Sequence, residues 1–162
     1  MELPVVSIVG NSNSGKTTFI EQLIPELKSR GYRIATIKHD AHKFQIDTPG
    51  KDSWRHRQAG AETVVLSSRN KLAMIRELER EVDLDKILSN YINSEVDLVI
   101  TEGYKTGDKA KIEIFRPAEY EQPLFSETDE QILTIVRNEE EFSAQQLDEV
   151  ADLIEEQIIG LG

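Results

Sequence analysis

The chain has 162 residues, 38% hydrophobic and 30% charged, which suits one domain with a real core. It contains no cysteine, so disulfides, thiolate metal sites and cysteine nucleophiles are excluded. No apolar run approaches the roughly 20 residues of a membrane span, and a net charge of −11 argues against the whole chain binding nucleic acid. The N-terminal Met-Glu-Leu-Pro-Val-Val has no basic n-region, so no secretory signal is expected and a cytoplasmic location fits.

Charge is unevenly spread. Residues 28–57 hold eight Lys or Arg against three Asp, a local net charge of +5, and all three histidines. Residues 117–162 hold thirteen acids and a single base, Arg137. The acidic stretch reads as a solvated surface. The basic stretch is a candidate anion site.

In chain order, residues 4–9 read as a short, fully apolar strand. A Gly/Ser/Asn loop follows over 10–15. A helix is predicted over about 16–30, with Phe19, Leu23 and Leu27 on one face and Gly31 as its stop. Pro25 lies inside it and is expected to kink or split it. Residues 33–38 alternate as a second strand, and 39–50 form a long polar loop. Asp52 or Ser53 is expected to cap a short helix ending near Gly60. Residues 62–67 and 71–77 are β-prone runs joined by Ser67-Ser68-Arg69-Asn70, a hairpin pattern. In that hairpin Val64, Leu66, Leu72, Met74 and Leu78 are expected on one side, with Val65, Ala73 and Ile75 on the other.

A helix is expected from Asp83 or Asp85 through Tyr91, then a near-continuous apolar strand over 96–101. Residues 111–115 alternate, with Ile112 and Ile114 on one face, and 117–129 look irregular. Residues 132–136 read as another buried strand. Ser143 with Gln146 forms a capping box before a last helix with Leu147, Val150, Ala151, Ile154 and Ile158 on one face. Unbroken Val/Ile-rich strands alternating with helices imply an α/β fold: a mostly parallel sheet with helices on both faces. The hairpin, an insertion over 62–78 in a single domain spanning 1–162, and the strand near 112 are expected to add antiparallel pieces.

Gly10-Asn11-Ser12-Asn13-Ser14-Gly15-Lys16-Thr17 matches G-x-x-x-x-G-K-[ST] at every required position. It follows an apolar strand and opens a helix, the context that gives the motif meaning and makes the fold of the P-loop NTPase type. Such a loop points backbone N–H groups at phosphate oxygens, and the helix adds the positive end of its dipole. Lys16 can reach the terminal phosphates, and the Thr17 hydroxyl can ligate Mg²⁺. Asp97-Leu98-Val99-Ile100-Thr101-Glu102-Gly103 is an apolar strand ending in an acid. Ligands of open α/β sheets lie beyond the carboxyl ends of the strands, so Glu102 is expected there, binding Mg²⁺ or orienting a water. Asp97, at the opposite end, reads as structural.

The loop after the second strand supplies further candidates. An acid there often helps hold the metal in phosphate-loop enzymes; Asp52 is the first choice and Asp47 the second. Lys38, His39, Lys43, Arg55 and Arg57 read as contacts to a second phosphorylated ligand. A transition-metal site built on His39, His42 and His56 is the weaker reading, since two loop histidines at that spacing are common by chance.

Gly10 to Thr18, Ile37-Lys38-His39, Asp47-Thr48-Pro49-Gly50-Lys51-Asp52-Ser53, Ala59-Gly60-Ala61 and Glu102-Gly103-Tyr104-Lys105 together resemble the molybdopterin-guanine dinucleotide biosynthesis protein B (MobB) family over roughly residues 3–137. The resemblance implies a GTP-binding homodimer, weakly active as a GTPase. Its expected partners are molybdopterin and the guanylyltransferase that joins GMP to it. It also implies kinship with dethiobiotin synthetase, in which carboxylates matching Glu102 and one near Asp52 help bind Mg²⁺. The expected nucleotide contacts are Gly10, Asn11, Ser12, Asn13, Ser14, Gly15, Lys16, Thr17 and Thr18, with Lys38 and His39. The expected metal contacts are Thr17, Glu102, Asp52 and Asp47, and Lys16 and Glu102 would act in hydrolysis. Two rival functions share these residues: a small-molecule kinase or ATP-dependent ligase, and a non-catalytic nucleotide-binding adapter. The family's loop is often richer in histidine than this one, and no N-K-x-D guanine motif is present, since Asn70-Lys71-Leu72-Ala73 lacks the aspartate. Arg137 and Asn138 follow the last strand where a base-contacting loop could lie, although a surface turn is the plainer reading.

Overall fold

The computed structural model describes residues 3–39 and 44–160. The chain divides into two compact units, one formed by residues 1–39 with 88–162 and one by residues 40–87. Among the described residues the elements run in the order β1 (Val5–Val9), α1 (Lys16–Ser29), β2 (Ile34–Lys38), α2 (Asp52–Gln58), β3 (Thr63–Ser67), β4 (Leu72–Arg76), α3 (Leu84–Tyr91), β5 (Leu98–Glu102), β6 (Ala110–Phe115), β7 (Ile132–Arg137), α4 (Ala144–Ile154) and a π-helical turn, Glu155–Ile159.

The first unit is built on a five-stranded sheet in the order β2-β5-β1-β6-β7, and every neighbouring pair is parallel. β1 lies at the centre and is buried along its whole length, as its Val-Val-Ser-Ile-Val sequence requires. Its Ser7 hydroxyl would be costly to bury alone, and it accepts a 2.8 Å hydrogen bond from Thr101 on β5. One face of the sheet, carrying Val6, Ile8, Leu98, Ile100, Ile112 and Ile114, packs with α1 and α4 into one apolar core. α1 contributes Phe19, Leu23 and Leu27, spaced four apart so that they stack on one side of the helix. Phe19 meets Phe142 edge to face at 4.9 Å. Truncating Phe19 or Leu23, both fully buried, would remove about 2–5 kcal/mol each.

Two expectations about the first unit are corrected. β6 is not an antiparallel piece; it pairs parallel with both β1 and β7. Its alternating pattern hides a second buried face, where Lys111 and Glu113 are 1% and 0% exposed. Lys111 Nζ donates to the carbonyls of Gly107 (2.6 Å) and Lys109 (3.2 Å) and to Gln131 Oε1. Burial lowers its pKa. The Glu113 carboxylate accepts from the backbone N–H groups of Leu124 (2.7 Å) and Phe125 (3.0 Å) and so fastens the segment after β6. Pro25 does not split α1, which is continuous from Lys16 to Ser29; Pro25 is exposed, so its missing N–H leaves the buried stripe intact.

The second unit carries α2 and the antiparallel β3-β4 hairpin. The hairpin closes through Ser68 N–H to Lys71 C=O at 2.8 Å. The register pairs Val64 with Ile75, Leu66 with Ala73, Val65 with Met74 and Ser67 with Leu72. Facing residues share a side, so the expected grouping is corrected: Val64, Leu66, Ala73 and Ile75 lie on one face, and Val65, Leu72 and Met74 on the other. The α2 cap is corrected too. The N-cap position is Lys51, whose side chain makes no capping bond, and Asp52 stands in the first turn, where its charge favours the helix dipole. Among the described residues no helix is long and apolar enough to cross a membrane.

Candidate functional site

Because all five strands of the first unit run parallel, their carboxyl ends meet one edge. The loop after β1, Lys38-His39 after β2, Glu102-Gly103 after β5, Arg116 after β6 and Asn138 after β7 all leave from it. The chain diverges to both sides of β1 there, which is where open α/β sheets form ligand crevices. A cleft of about 1040 Å³ occupies this edge, bordered by the 12–18 loop, Glu102, Arg116 and the 138–142 turn.

The 10–15 loop wraps through left-handed backbone at Gly10 (φ 144°), Asn13 (φ 59°) and Gly15 (φ 100°). A Cβ at Gly10 would stand 2.4 Å from the Ile114 carbonyl oxygen, and one at Gly15 would stand 2.3 Å from Asn138 Nδ2. Only glycine fits either place. α1 opens with no side-chain cap at Gly15, so its first-turn N–H groups are left for a ligand. Lys16 Nζ folds back onto the carbonyls of Gly10 (3.2 Å) and Asn11 (2.7 Å). Its pKa is lowered, first by burial; the Glu102 carboxylate opposes this, and Lys105 and Lys38 add to it. Such an ammonium gains from an incoming anion.

The Thr17 hydroxyl donates to Glu102 Oε1 at 3.0 Å, and Lys38 Nζ lies 3.5 Å from the same oxygen. Two oxygens bound side by side to an octahedral Mg²⁺, each at about 2.1 Å, are about 3 Å apart. The pair therefore fits that metal. Among the described residues no group of three or more His, Asp and Glu could hold a metal by itself. Mg²⁺ does not require one, since it keeps waters and shares phosphate oxygens. His39 continues the edge: its backbone N–H donates to the Glu102 carbonyl at 2.9 Å, and its ring packs against Tyr104, tilted by 39° with centroids 4.7 Å apart. Tyr104 holds a left-handed backbone (φ 52°), a conformation uncommon for a residue with a side chain, two positions after Glu102.

Three contacts lie beyond the sequence reading. Arg116 Nη1 donates to the Asn13 carbonyl (3.3 Å), the Tyr120 hydroxyl to the Ser12 carbonyl (2.9 Å), and Asn138 Nδ2 to the Ser14 carbonyl (2.8 Å). They hold the carbonyls of three successive loop residues, Ser12, Asn13 and Ser14, in place. Residues 117–129 have no periodicity, so no pattern could reveal Tyr120. The sequence places Asn138, with Arg137, where a base-contacting loop could lie, with a surface turn as the plainer reading; its bond to Ser14 carries no signal in the pattern. Arg137, next to it, lies over the Phe115 ring at 5.6 Å.

Asp47 and Asp52 belong to the second unit. The Asp47 side chain is 3% exposed and takes two hydrogen bonds from Arg57, at 3.0 and 3.2 Å. Arg57 also reaches Glu77 at 2.6 Å. Arg57 was expected to contact a second anion; it is instead committed to two acids, which raise its pKa. Asp52 remains exposed. Asp40, His42 and Lys43 lie outside the described residues. Asp97 is structural, as expected, accepting from the Arg33 backbone N–H at 2.7 Å and from its guanidinium at 3.3 Å.

The family model described as molybdopterin guanine dinucleotide synthesis protein B, MobB, matches residues 5–138. The molybdopterin-guanine dinucleotide biosynthesis adapter protein of Haemophilus influenzae is 40% identical over 137 residues, covering 85% of this chain and 76% of that one. The Escherichia coli adapter of the same name is 38% identical over 123 residues, covering 75% and 70%. A crystal structure of molybdopterin-guanine biosynthesis protein B superposes with a TM-score of 0.68 at 36% identity, covering 94% of this chain and 97% of that one. Bacillus subtilis MobB superposes with a TM-score of 0.73 at 26% identity, covering 98% and 99%. The fold is thus the P-loop NTPase-like α/β fold of those structures, and the chain belongs to the MobB family.

Proposed function

We propose that this chain is a Mg²⁺-dependent GTP-binding adapter, weakly hydrolytic, that assists the attachment of GMP to molybdopterin. The observation that carries the reading is the 3.0 Å approach of Thr17 to Glu102 at the mouth of a complete phosphate loop. The names of the Haemophilus and Escherichia relatives supply the pathway.

Each residue has a physical task. The first-turn N–H groups of α1 and the inward amides of the loop bind phosphate oxygens. Lys16 exchanges two backbone carbonyls for phosphate charge. Thr17 and Glu102 hold Mg²⁺, which neutralises phosphate charge when bound. Lys38 pairs with Glu102 and limits the repulsion between this carboxylate and the incoming anion. Slow hydrolysis suits a site whose main task is to hold nucleotide.

The partner is a guanylyltransferase acting on molybdopterin, and a second copy of this chain completes the assembly. Val65, Leu72 and Met74 share one face of the hairpin and are 54%, 69% and 39% exposed. Apolar surface of this kind on a two-stranded sheet calls for cover, and the homodimer supplies it. The function is tested by adding the chain to a guanylyltransferase reaction with GTP, Mg²⁺ and molybdopterin. A higher yield of the dinucleotide, lost with Lys16→Ala, is the expected result. A yield indifferent to the chain would overturn the reading, and a phosphorylated acceptor would replace it with a kinase.

A further inference from the structure

Among the described residues one buried side-chain polar atom lacks a hydrogen-bond partner, the Ser14 hydroxyl in the phosphate loop. Ser14 is 0% exposed and does not border the cleft. Its hydroxyl is therefore not one of the groups that face an incoming phosphate. A hydroxyl sealed from water without a partner costs stability, and each such group calls for an explanation.

Its surroundings supply one. The backbone of Ser14 is held on both sides: its N–H donates to the Asn11 carbonyl at 3.4 Å, and its carbonyl accepts from Asn138 Nδ2 at 2.8 Å. Only the side chain is uncommitted. Its Oγ lies beside the Gly10 α-carbon, 2.8 Å from where a Cβ at Gly10 would stand. The Gly10 carbonyl accepts from Lys16 Nζ at 3.2 Å, and among the described residues neither another side chain nor an amide of a turn or loop donates to it. The Asn11 carbonyl, the second partner of Lys16, keeps the Ser14 N–H when the ammonium leaves. The Gly10 carbonyl has no such second donor. A phosphate that draws Lys16 away thus leaves an orphaned acceptor beside an unused donor. The hydroxyl can meet it by turning about the Cα–Cβ and Cβ–Oγ bonds of Ser14, with no change in the backbone.

We propose that Ser14 is a positioning residue of the phosphate loop, whose hydroxyl takes over the Gly10 carbonyl when Lys16 moves to phosphate. The proposal rests on the nucleotide-binding reading above and adds the residue that holds the loop in its occupied form. The unmet hydroxyl raises the free energy of the empty loop, and the bond it then forms lowers that of the occupied one. Both effects favour the bound state.

The test is a double-mutant cycle between Ser14→Ala and Lys16→Ala on the full chain, read first by thermal unfolding without ligand. In the unmutated background Ser14→Ala removes an unmet hydroxyl and is expected to raise the melting temperature by about 2–4 °C. In the Lys16→Ala background the hydroxyl already holds the Gly10 carbonyl, so the same change is expected to lower the melting temperature by about as much. A serine that is merely packed gives the same sign in both backgrounds. The second readout is titration with inorganic tripolyphosphate and Mg²⁺. Ser14→Ala is expected to weaken this binding about tenfold, although Ser14 does not border the cleft. A fall in melting temperature in the unmutated background, one sign in both backgrounds, or an unchanged tripolyphosphate affinity would overturn the assignment. Failure of the unmutated chain to bind tripolyphosphate would overturn the nucleotide reading, and this proposal with it; that failure shows in the unmutated chain, the others only in Ser14→Ala.

Discussion

Lys16 spends its charge on two backbone carbonyls, Gly10 and Asn11, in a half-buried setting that lowers its pKa. A triphosphate offers that ammonium far stronger partners. Lys16→Ala is therefore expected to weaken triphosphate binding by about a hundredfold, on the order of two charge-assisted hydrogen bonds, with circular dichroism unchanged. Glu102→Gln is expected to reduce Mg²⁺-dependent hydrolysis about tenfold or more, a barrier increase of about 1.4 kcal/mol. Equal rates would leave Glu102 as a strand-end acid. Asp97 titrates at the other end of the sheet. The Arg33 backbone N–H first, and its guanidinium second, hold its pKa below the ordinary 3.8. A depressed folded pKa adds stability above the unfolded value that is lost as pH falls through the folded one. Asp97→Ala should lower the melting temperature at neutral pH, and the gap should close below about pH 3.8. A gap independent of pH would contradict the ionic account.

Elements were legible where apolar residues set the period. β1, β5 and β7 follow from unbroken Val/Ile runs, α1 from Phe19, Leu23 and Leu27, and α4 from its capping box, which forms as expected. β6 was read as a strand but in the wrong direction. The pattern of its polar residues says half-exposed, yet Lys111 and Glu113 are buried because Gln131 and the Leu124 and Phe125 amides meet them. Those partners are distant in sequence and carry no periodic signal. The hairpin faces were misassigned because register depends on the Ser68–Lys71 closure, which alternation alone does not fix. Arg30 ties two elements together. At the C-terminal end of α1 it pairs with Glu26, and with Asp148, Asp152 and Glu155 beyond β7. Asp152 and then Glu26 raise its pKa most. Arg30→Met would leave four acids facing one another. It should cost about 1–2 kcal/mol in urea unfolding, less at high salt; a salt-independent loss would mean that packing, not charge, is responsible.

At the scale of the whole molecule, five parallel carboxyl ends gather the phosphate loop, Glu102, Arg116 and Asn138 at one edge of one unit. The motif and the strand-end acid were legible because both are local. Arg116, Tyr120 and Asn138 were not, because their partners are loop carbonyls more than a hundred residues away in sequence. The hairpin belongs to the same scale. Val65→Lys with Leu72→Lys, both on its exposed face, should convert a dimer to a folded monomer by light scattering. A well-folded monomer from the unmutated chain at hundreds of micromolar would contradict the dimer. The central claim is met most directly by titrating the full chain with GTP, with and without Mg²⁺, beside Lys16→Ala. The expected result is one saturable site per chain, tightened by Mg²⁺ and lost with Lys16→Ala. No saturable binding, or binding indifferent to both Mg²⁺ and Lys16, would contradict it.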